Sequence, residues 1–273
     1  MNIDIDKVLR TRLGKNARFV PRFATRLLEK IICQDQLNEL LTLHRGKTGA
    51  EFCRGVVDTL DITVDTYGTE NIPGMESRPM FVSNHPLGGL DGMILIDPIT
   101  RIYGKPVKFV VNDLLMAVEP LRDVFLPVNH HGAQSKESAA EIESAFESDN
   151  PIIIFPAGLV SRKQPDGSIA DLKWHKMFLK KALHYNRTII PVHFIGLNSP
   201  FFYNFAYLRR KSGIKFNIDM IFLPREVFRS KGKEFNIVFG KPLTEDFLRG
   251  DSPAKVAGKV REIVHSLTAA EKV

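Results

Sequence analysis

His85 and Asp91 stand six positions apart in the run Asn84-His85-Pro86-Leu87-Gly88-Gly89-Leu90-Asp91-Gly92. An imidazole and a carboxylate on one turn can form a dyad. The carboxylate holds the ring tautomer, and the other ring nitrogen takes a proton from a substrate hydroxyl. The apolar run Pro79–Val82 just before the motif reads as a buried strand, and Met93–Ile96 reads as the start of a helix. The same residues also suit a turn without chemistry: Asn84 can end the strand, Gly88 and Gly89 can take positive φ, and Asp91 can cap the helix.

A second chemical stretch follows the apolar run Ile152–Phe155. It reads Pro156-Ala157-Gly158-Leu159-Val160-Ser161-Arg162-Lys163, a strand exit followed by a hydroxyl and two cations. Such a loop can offer backbone N–H groups and an arginine to a phosphate or an oxyanion, or it can be a plain exit with a solvated basic tail. Other polar groups carry less. Trp174 and Phe178 lie one turn apart in a helix expected to open at Asp171, and they read as core. His193, inside an apolar strand, reads as a satisfied core residue. His130-His131 lacks a third ligand at helical spacing, so no metal is assigned. A Gly-x-Ser-x-Gly elbow is absent, which argues against a serine hydrolase of the α/β type.

The elements that must position these residues follow from patterning. At 273 residues the chain can bury most of its apolar surface without staples. Hydrophobic residues at 44% and charged residues at 25% exclude a disordered chain. Two cysteines, Cys33 and Cys53, exclude a disulfide scaffold and suit a reducing compartment. Asp4, Asp6 and Lys7 interrupt any N-terminal apolar core, and no window has 18 consecutive apolar residues, so neither a signal peptide nor a spanning helix is expected. Strands are expected at Ile62–Tyr67, Met80–Val82, Val107–Val111, Ile152–Phe155, Thr188–Phe194, Asn217–Leu223 and Phe235–Phe239. Helices are expected at Gly92–Tyr103, Leu114–Val124, Ser135–Glu147, Asp171–Tyr185 and Pro253–Leu267, with Pro98 and Pro120 as breaks or kinks. This alternation predicts an α/β fold with a largely parallel central sheet flanked by helices, and a ligand site beyond the carboxyl ends of the strands.

Residues 1–60 read differently. They are expected to be helical and basic, ahead of the α/β domain over 61–273, with short helices at Asp35–His44 and Glu51–Leu60. The net charge is +7, and the first 30 residues hold eight basic and three acidic side chains. Phe19, Phe23, Leu27 and Ile31 form one stripe of period four, and Arg18, Arg22, Arg26 and Lys30 form a cationic stripe beside it. Such a helix can lie in a bilayer interface, with Arg18, Phe19, Arg22, Phe23 and Arg26 in contact, or it can pack on the domain. Phe201–Tyr207 followed by Arg209-Arg210-Lys211 repeats the aromatic-then-basic composition, which suits a membrane interface, stacked single-stranded nucleic acid or a core helix with a solvated end. With no nucleic-acid signature present, an anionic membrane surface is expected as partner rather than nucleic acid.

Four blocks stand in order: Asn84-His85…Asp91-Gly92, Phe125-Leu126-Pro127-Val128-Asn129, Phe155-Pro156-Ala157-Gly158 and Ile189-Ile190-Pro191-Val192. Over about residues 60–245 the chain resembles the lysophospholipid and glycerol-phosphate acyltransferase family, and especially its haemolysin-like bacterial branch. The resemblance implies transfer of an acyl group from acyl carrier protein or a CoA thioester to a hydroxyl, with no other cofactor. His85 would be the general base and Asp91 its orienting partner. Asn84, Gly88, Gly89, Phe155, Pro156, Gly158, Ser161 and Arg162 would line the substrate, and N–H groups near Gly88, Gly89 and Gly158 would hold the oxyanion. The protein would be peripheral on the cytoplasmic face of the inner membrane. Five residues separate His85 from Asp91 where the family usually has four, Ala157 replaces its acidic residue, and Asn129 replaces its arginine. In the family, those two charged residues are associated with a glycerol-phosphate acceptor. The acceptor is therefore a lysophospholipid or, given both absences, the hydroxyl of an N-(hydroxyacyl) amino acid lipid. A lipid-binding protein without turnover and a thioester hydrolase remain the alternatives.

Overall fold

A computed structural model describes residues 3–14, 20–112, 116, 118–128, 136–214 and 216–269. Four helices come first: α1 (Ile5–Leu13), α2 (Arg22–Ile31), α3 (Gln34–Leu43) and α4 (Gly49–Thr59). The chain then alternates: β1 (Thr63–Tyr67), β2 (Pro79–Ser83), α5 (Leu90–Tyr103), β3 (Lys108–Asn112), β4 (Phe125–Val128), α6 (Lys136–Glu147) and β5 (Ile152–Ile154). A small hairpin, β6 (Arg162–Lys163) and β7 (Ile169–Ala170), precedes α7 (Met177–His184) and β8 (Thr188–Ile195). α8 (Pro200–Lys211), α9 (Leu223–Phe228), β9 (Glu234–Phe239), α10 (Glu245–Arg249) and α11 (Pro253–Ser266) complete it.

Among the described residues the main sheet has seven strands in the order β1-β9-β8-β2-β5-β3-β4. β8, β2, β5, β3 and β4 run parallel, and β9 runs antiparallel to β8 with β1 parallel to it. The α/β sheet expected from the sequence is therefore present, with one antiparallel step. Strand period two sends alternate residues to opposite faces. Phe81, Ile153, Ile190 and Val192 meet α4 and α5 on one face. Met80, Val82, Ile152, Ile154 and Ile189 meet α6, α7, α10 and α11 on the other. β2 is central and wholly buried, so the turn that follows it begins from a rigid point.

Several expected elements differ. β4 was not expected as a strand. It lies at the sheet edge, where Pro127 loses no ladder bond that the fold needs. Pro98 does not break α5, because Ile94, Leu95, Ile99 and Tyr103 bury the helix on both sides of it. The described part of the stretch expected as a helix at Leu114–Val124 holds no α-helix; Glu119–Leu121 form a 3-10 turn. Asn217–Leu223 is not a strand. A 3-10 turn at Ile218–Phe222 carries the buried Asp219 inward to two arginines, which an extended apolar strand would not do. The helix expected from Asp171 begins at Met177, because Asp171 to Lys176 form an irregular segment tied by the Asp171 side chain.

Candidate active site

His85 lies two residues beyond β2, at the carboxyl edge of the parallel strands. Its Nδ1 is 2.9 Å from Asp91 Oδ2, and Asp91 is 0% exposed in the first turn of α5. Asp91 also accepts N–H bonds from Leu87 (2.9 Å), Gly88 (3.3 Å), Gly89 (3.0 Å) and Gly92 (2.9 Å). Burial pushes the Asp91 carboxyl up. The His85 charge, its hydrogen bond and the N–H groups of Leu87 and Gly92 outweigh that and hold it below the usual aspartate range. An ionised Asp91 requires Nδ1 to carry the proton, which leaves Nε2 as the basic nitrogen. The imidazole is stacked on Phe155, with ring centroids 4.2 Å apart and planes at 20°. Phe155 meets the edge of Phe109 at 5.2 Å, so the ring that carries Nε2 has a fixed plane.

The turn itself is tightly built. Gly88 has φ +77°, and a Cβ there would lie 2.9 Å from Leu223 Cδ1 and 3.1 Å from Val160 Cβ. A Cβ at Gly89 would meet nothing within 4 Å, so the turn is open on that side. The N–H groups of Gly88 and Gly89 face Asp91, and the Gly158 N–H donates to Phe155 O at 3.0 Å. The expected oxyanion role of these three donors does not match this geometry: the buried carboxylate and a tight turn already hold them.

Asn84 is likewise directed inward. Its amide donates to Phe194 O (2.9 Å) and accepts from Phe194 N (2.7 Å), extending the β2–β8 ladder past the strand end. Ser161 donates its N–H to His85 O at 2.7 Å and its hydroxyl to Asp171 Oδ1. Arg162 is 1% exposed and pairs with Asp219 at 2.7 Å, so its guanidinium is not offered to a phosphate at the surface. Pro156 accepts from the His175 N–H at 2.9 Å, and Ala157 is buried among apolar residues of the α6–α7 face. Of the second loop, Phe155 and Ser161 reach His85, and Arg162 does not.

Asp171 escaped the sequence reading. It is 3% exposed; Oδ1 accepts from the His85 N–H (3.1 Å) and from Ser161, and Oδ2 accepts from Trp174 Nε1 (2.9 Å). One carboxylate thus ties the His85 turn, the Pro156–Ser161 loop and the segment before α7. From the other side, the Tyr203 hydroxyl donates to Pro86 O (3.0 Å), and Asn198 Nδ2 donates to Pro86 O and Leu87 O. The buried Trp174 is a core residue, as expected, whereas His193 is only half-buried and bonds to Leu267 O at 2.6 Å. A cleft lined by Tyr67, Phe239, Leu243, Phe247 and Leu267 lies at the β1 edge and shares no residue with the His85 site.

On α2, Arg22, Phe23 and Arg26 are exposed, and Arg18 and Phe19 lie outside the described residues, as do Asn129 and His130-His131. The helix packs through Thr25, Leu28 and Ile31 and leaves Phe23 (73% exposed) and Leu27 (56%) facing out beside the cations. Among the described residues no helix is long and apolar enough to cross a membrane.

A family model described as "Acyltransferase" matches residues 7–269. A lyso-glycine lipid O-acyltransferase of Bacteroides thetaiotaomicron is 43% identical over 266 residues, covering 97% of each chain. Its namesake in Phocaeicola vulgatus is 41% identical over 266 residues, covering 97% of this chain and 95% of that one. The crystal structure of the 1-acyl-sn-glycerophosphate acyltransferase PlsC from Thermotoga maritima superposes with a TM-score of 0.48 at 15% identity, covering 98% of this chain and 97% of that one. The chain belongs to the acyltransferase family and is an acyl-transferring enzyme.

Proposed function

We propose that this enzyme transfers an acyl group from a thioester, on acyl carrier protein or CoA, to the free hydroxyl of a lyso-glycine lipid. The observation that carries this reading is the His85–Asp91 pair, 2.9 Å apart on a turn whose carboxylate is wholly buried. The acceptor follows from the named activity of the relatives at 43% and 41% identity. It accords with Ala157, which puts a buried methyl where a phosphate-handling carboxylate would stand.

In the proposed reaction His85 Nε2 takes the hydroxyl proton as the oxygen attacks the thioester carbonyl. Asp91 holds the imidazolium that results. The tetrahedral intermediate collapses, the C–S bond breaks, and the thiolate leaves with the proton from Nε2, giving an ester and a free thiol. A thioester is already activated, so no acyl-enzyme is needed. The enzyme works as a peripheral membrane protein, with Phe23 and Leu27 in the headgroup region and Arg22, Arg26 and Lys30 at lipid phosphates.

The test is His85→Ala, purified and incubated with a long-chain acyl thioester and lyso-glycine lipid, with product read by mass spectrometry. Ester formation should fall at least about 100-fold while the melting curve stays close to the parent. Full turnover in the variant would overturn the base assignment. Free fatty acid released without acceptor would assign a hydrolase.

A further inference from the structure

The last turn of α8 and the turn after it display three large apolar side chains in solvent: Phe216 is 76% exposed, Leu208 63% and Ile214 46%. Apolar groups clustered on a surface in this way mark a contact. They are not loosely held. Arg209 is buried at 6% exposure, and its guanidinium donates to Ile214 O (2.9 Å) and Phe216 O (3.1 Å). The same group pairs with Asp219 Oδ1 at 2.6 Å, and Asp219 Oδ2 pairs with Arg162 at 2.7 Å. A buried Arg–Asp–Arg arrangement is a poor way to gain stability, because desolvation offsets most of the attraction. Here it clamps the backbone from which Ile214 and Phe216 project.

We propose that this turn is a rigid prong that enters an anionic bilayer and holds the His85 site at its surface, as a second footing beside α2. The proposal rests on the peripheral-membrane reading above. Arg210 and Lys211 are exposed next to the apolar groups, and no acidic residue occurs from Pro200 to Asn217. The surface therefore matches anionic headgroups over an apolar interior. The most exposed side chain is a phenylalanine, and Arg209, the first of three consecutive cations, is drawn inside. The turn thus presents apolar groups ahead of charge, which favours lipid over an acidic carrier protein.

The prong and the catalytic turn belong to one packed unit. Tyr203, whose hydroxyl holds Pro86 O, lies five residues before Leu208 on α8, about 7.5 Å along the axis. Val160, Phe202, Tyr203, Phe222 and Leu223 form one cluster, Ile31 of α2 packs on it, and Val160 and Leu223 flank Gly88.

Sedimentation with phosphatidylglycerol–phosphatidylcholine vesicles tests this, using the full chain, Ile214→Ser with Phe216→Ser, Phe23→Ser with Leu27→Ser, and Phe216→Trp. Each serine pair should weaken partitioning about tenfold, and Phe216→Trp should keep it at the parental level. Turnover of a short-chain, water-soluble acceptor should stay unchanged in the prong variant, while turnover of acceptor embedded in vesicles falls. Partitioning equal to the parent would overturn the prong. A raised KM for carrier thioester with unchanged partitioning would assign the turn to the carrier and overturn it as well. If the parent chain binds no vesicle, the peripheral reading itself fails.

Discussion

Gly92→Ala tests whether packing behind the dyad controls its chemistry. The added Cβ would lie 2.4 Å from Phe109 Cε1 and 2.7 Å from Cζ, against an ordinary carbon contact of about 3.5–4 Å. The Phe109 ring must therefore move by roughly 1 Å. It has little room: it is 5% exposed, meets Phe125 at 5.9 Å and meets Phe155 at 5.2 Å. Phe155 in turn carries the His85 ring at 4.2 Å, so displacement reaches the proposed base in two contacts. Overpacking of this kind costs about 1–3 kcal/mol, and the better helix propensity of alanine offsets up to about 1 kcal/mol. The stability loss should be modest. Activity should suffer more, because a displacement of about 1 Å at a reacting group can cost about 100-fold. The assay is kcat for lyso-glycine lipid acylation beside a thermal melt, with Phe109→Leu added to relieve the clash. We expect kcat to fall about 100-fold in the single variant and to recover by about tenfold or more in the double variant. A single variant with parental kcat would refute the aromatic relay, and so would a double variant with no recovery.

Asp171→Asn should lower kcat by roughly tenfold to 100-fold with little change in KM, because it loosens the backbone of His85 without touching substrate. Trp174→Phe, which removes one donor to the same carboxylate, should give a smaller fall of the same kind, and a raised KM alone would contradict the positioning role. Asp91 titrates below its ordinary value in the folded chain, so its contribution to stability is present above the unfolded value of about 3.9 and is lost as pH falls through the lower folded value. Denaturant unfolding of the parent and Asp91→Asn should therefore show a stability gap that is full at pH 5–7 and narrows below about pH 4; a gap independent of pH down to about 2 would refute an ionised Asp91.

Local periodicity makes much of the architecture readable from the chain alone. β2, β5 and β8 are short apolar runs buried on both faces, and α3, α4, α6 and α11 carry amphipathic or well-delimited helical patterns. β4 was hidden by Pro127, which is tolerable only because tertiary pairing puts that strand at an edge. The stretch Asn217–Leu223 looked extended because its hydrophobics suit a strand, yet the charge of Asp219 had to reach Arg162 and Arg209. A pattern within seven residues cannot report on partners that lie 57 and 10 positions away in the chain.

By itself the sequence determined the dyad, since His85, the glycines and Asp91 lie within one turn and short chain separation brings them together. It also determined the parallel sheet and the strand end where the dyad sits. Only the tertiary structure decided how that turn is held. Asp171, Asn198 and Tyr203 act from 86 to 118 residues beyond His85, and their hydrogen bonds exist only once β8, α8 and the segment before α7 have packed around β2. It also decided which cations stay free. Arg22 and Arg26 remain at the surface, while Arg162 and Arg209, equally basic on paper, are buried against a single aspartate. Composition sets the charge a residue carries, and packing decides whether that charge meets solvent, lipid or a buried carboxylate.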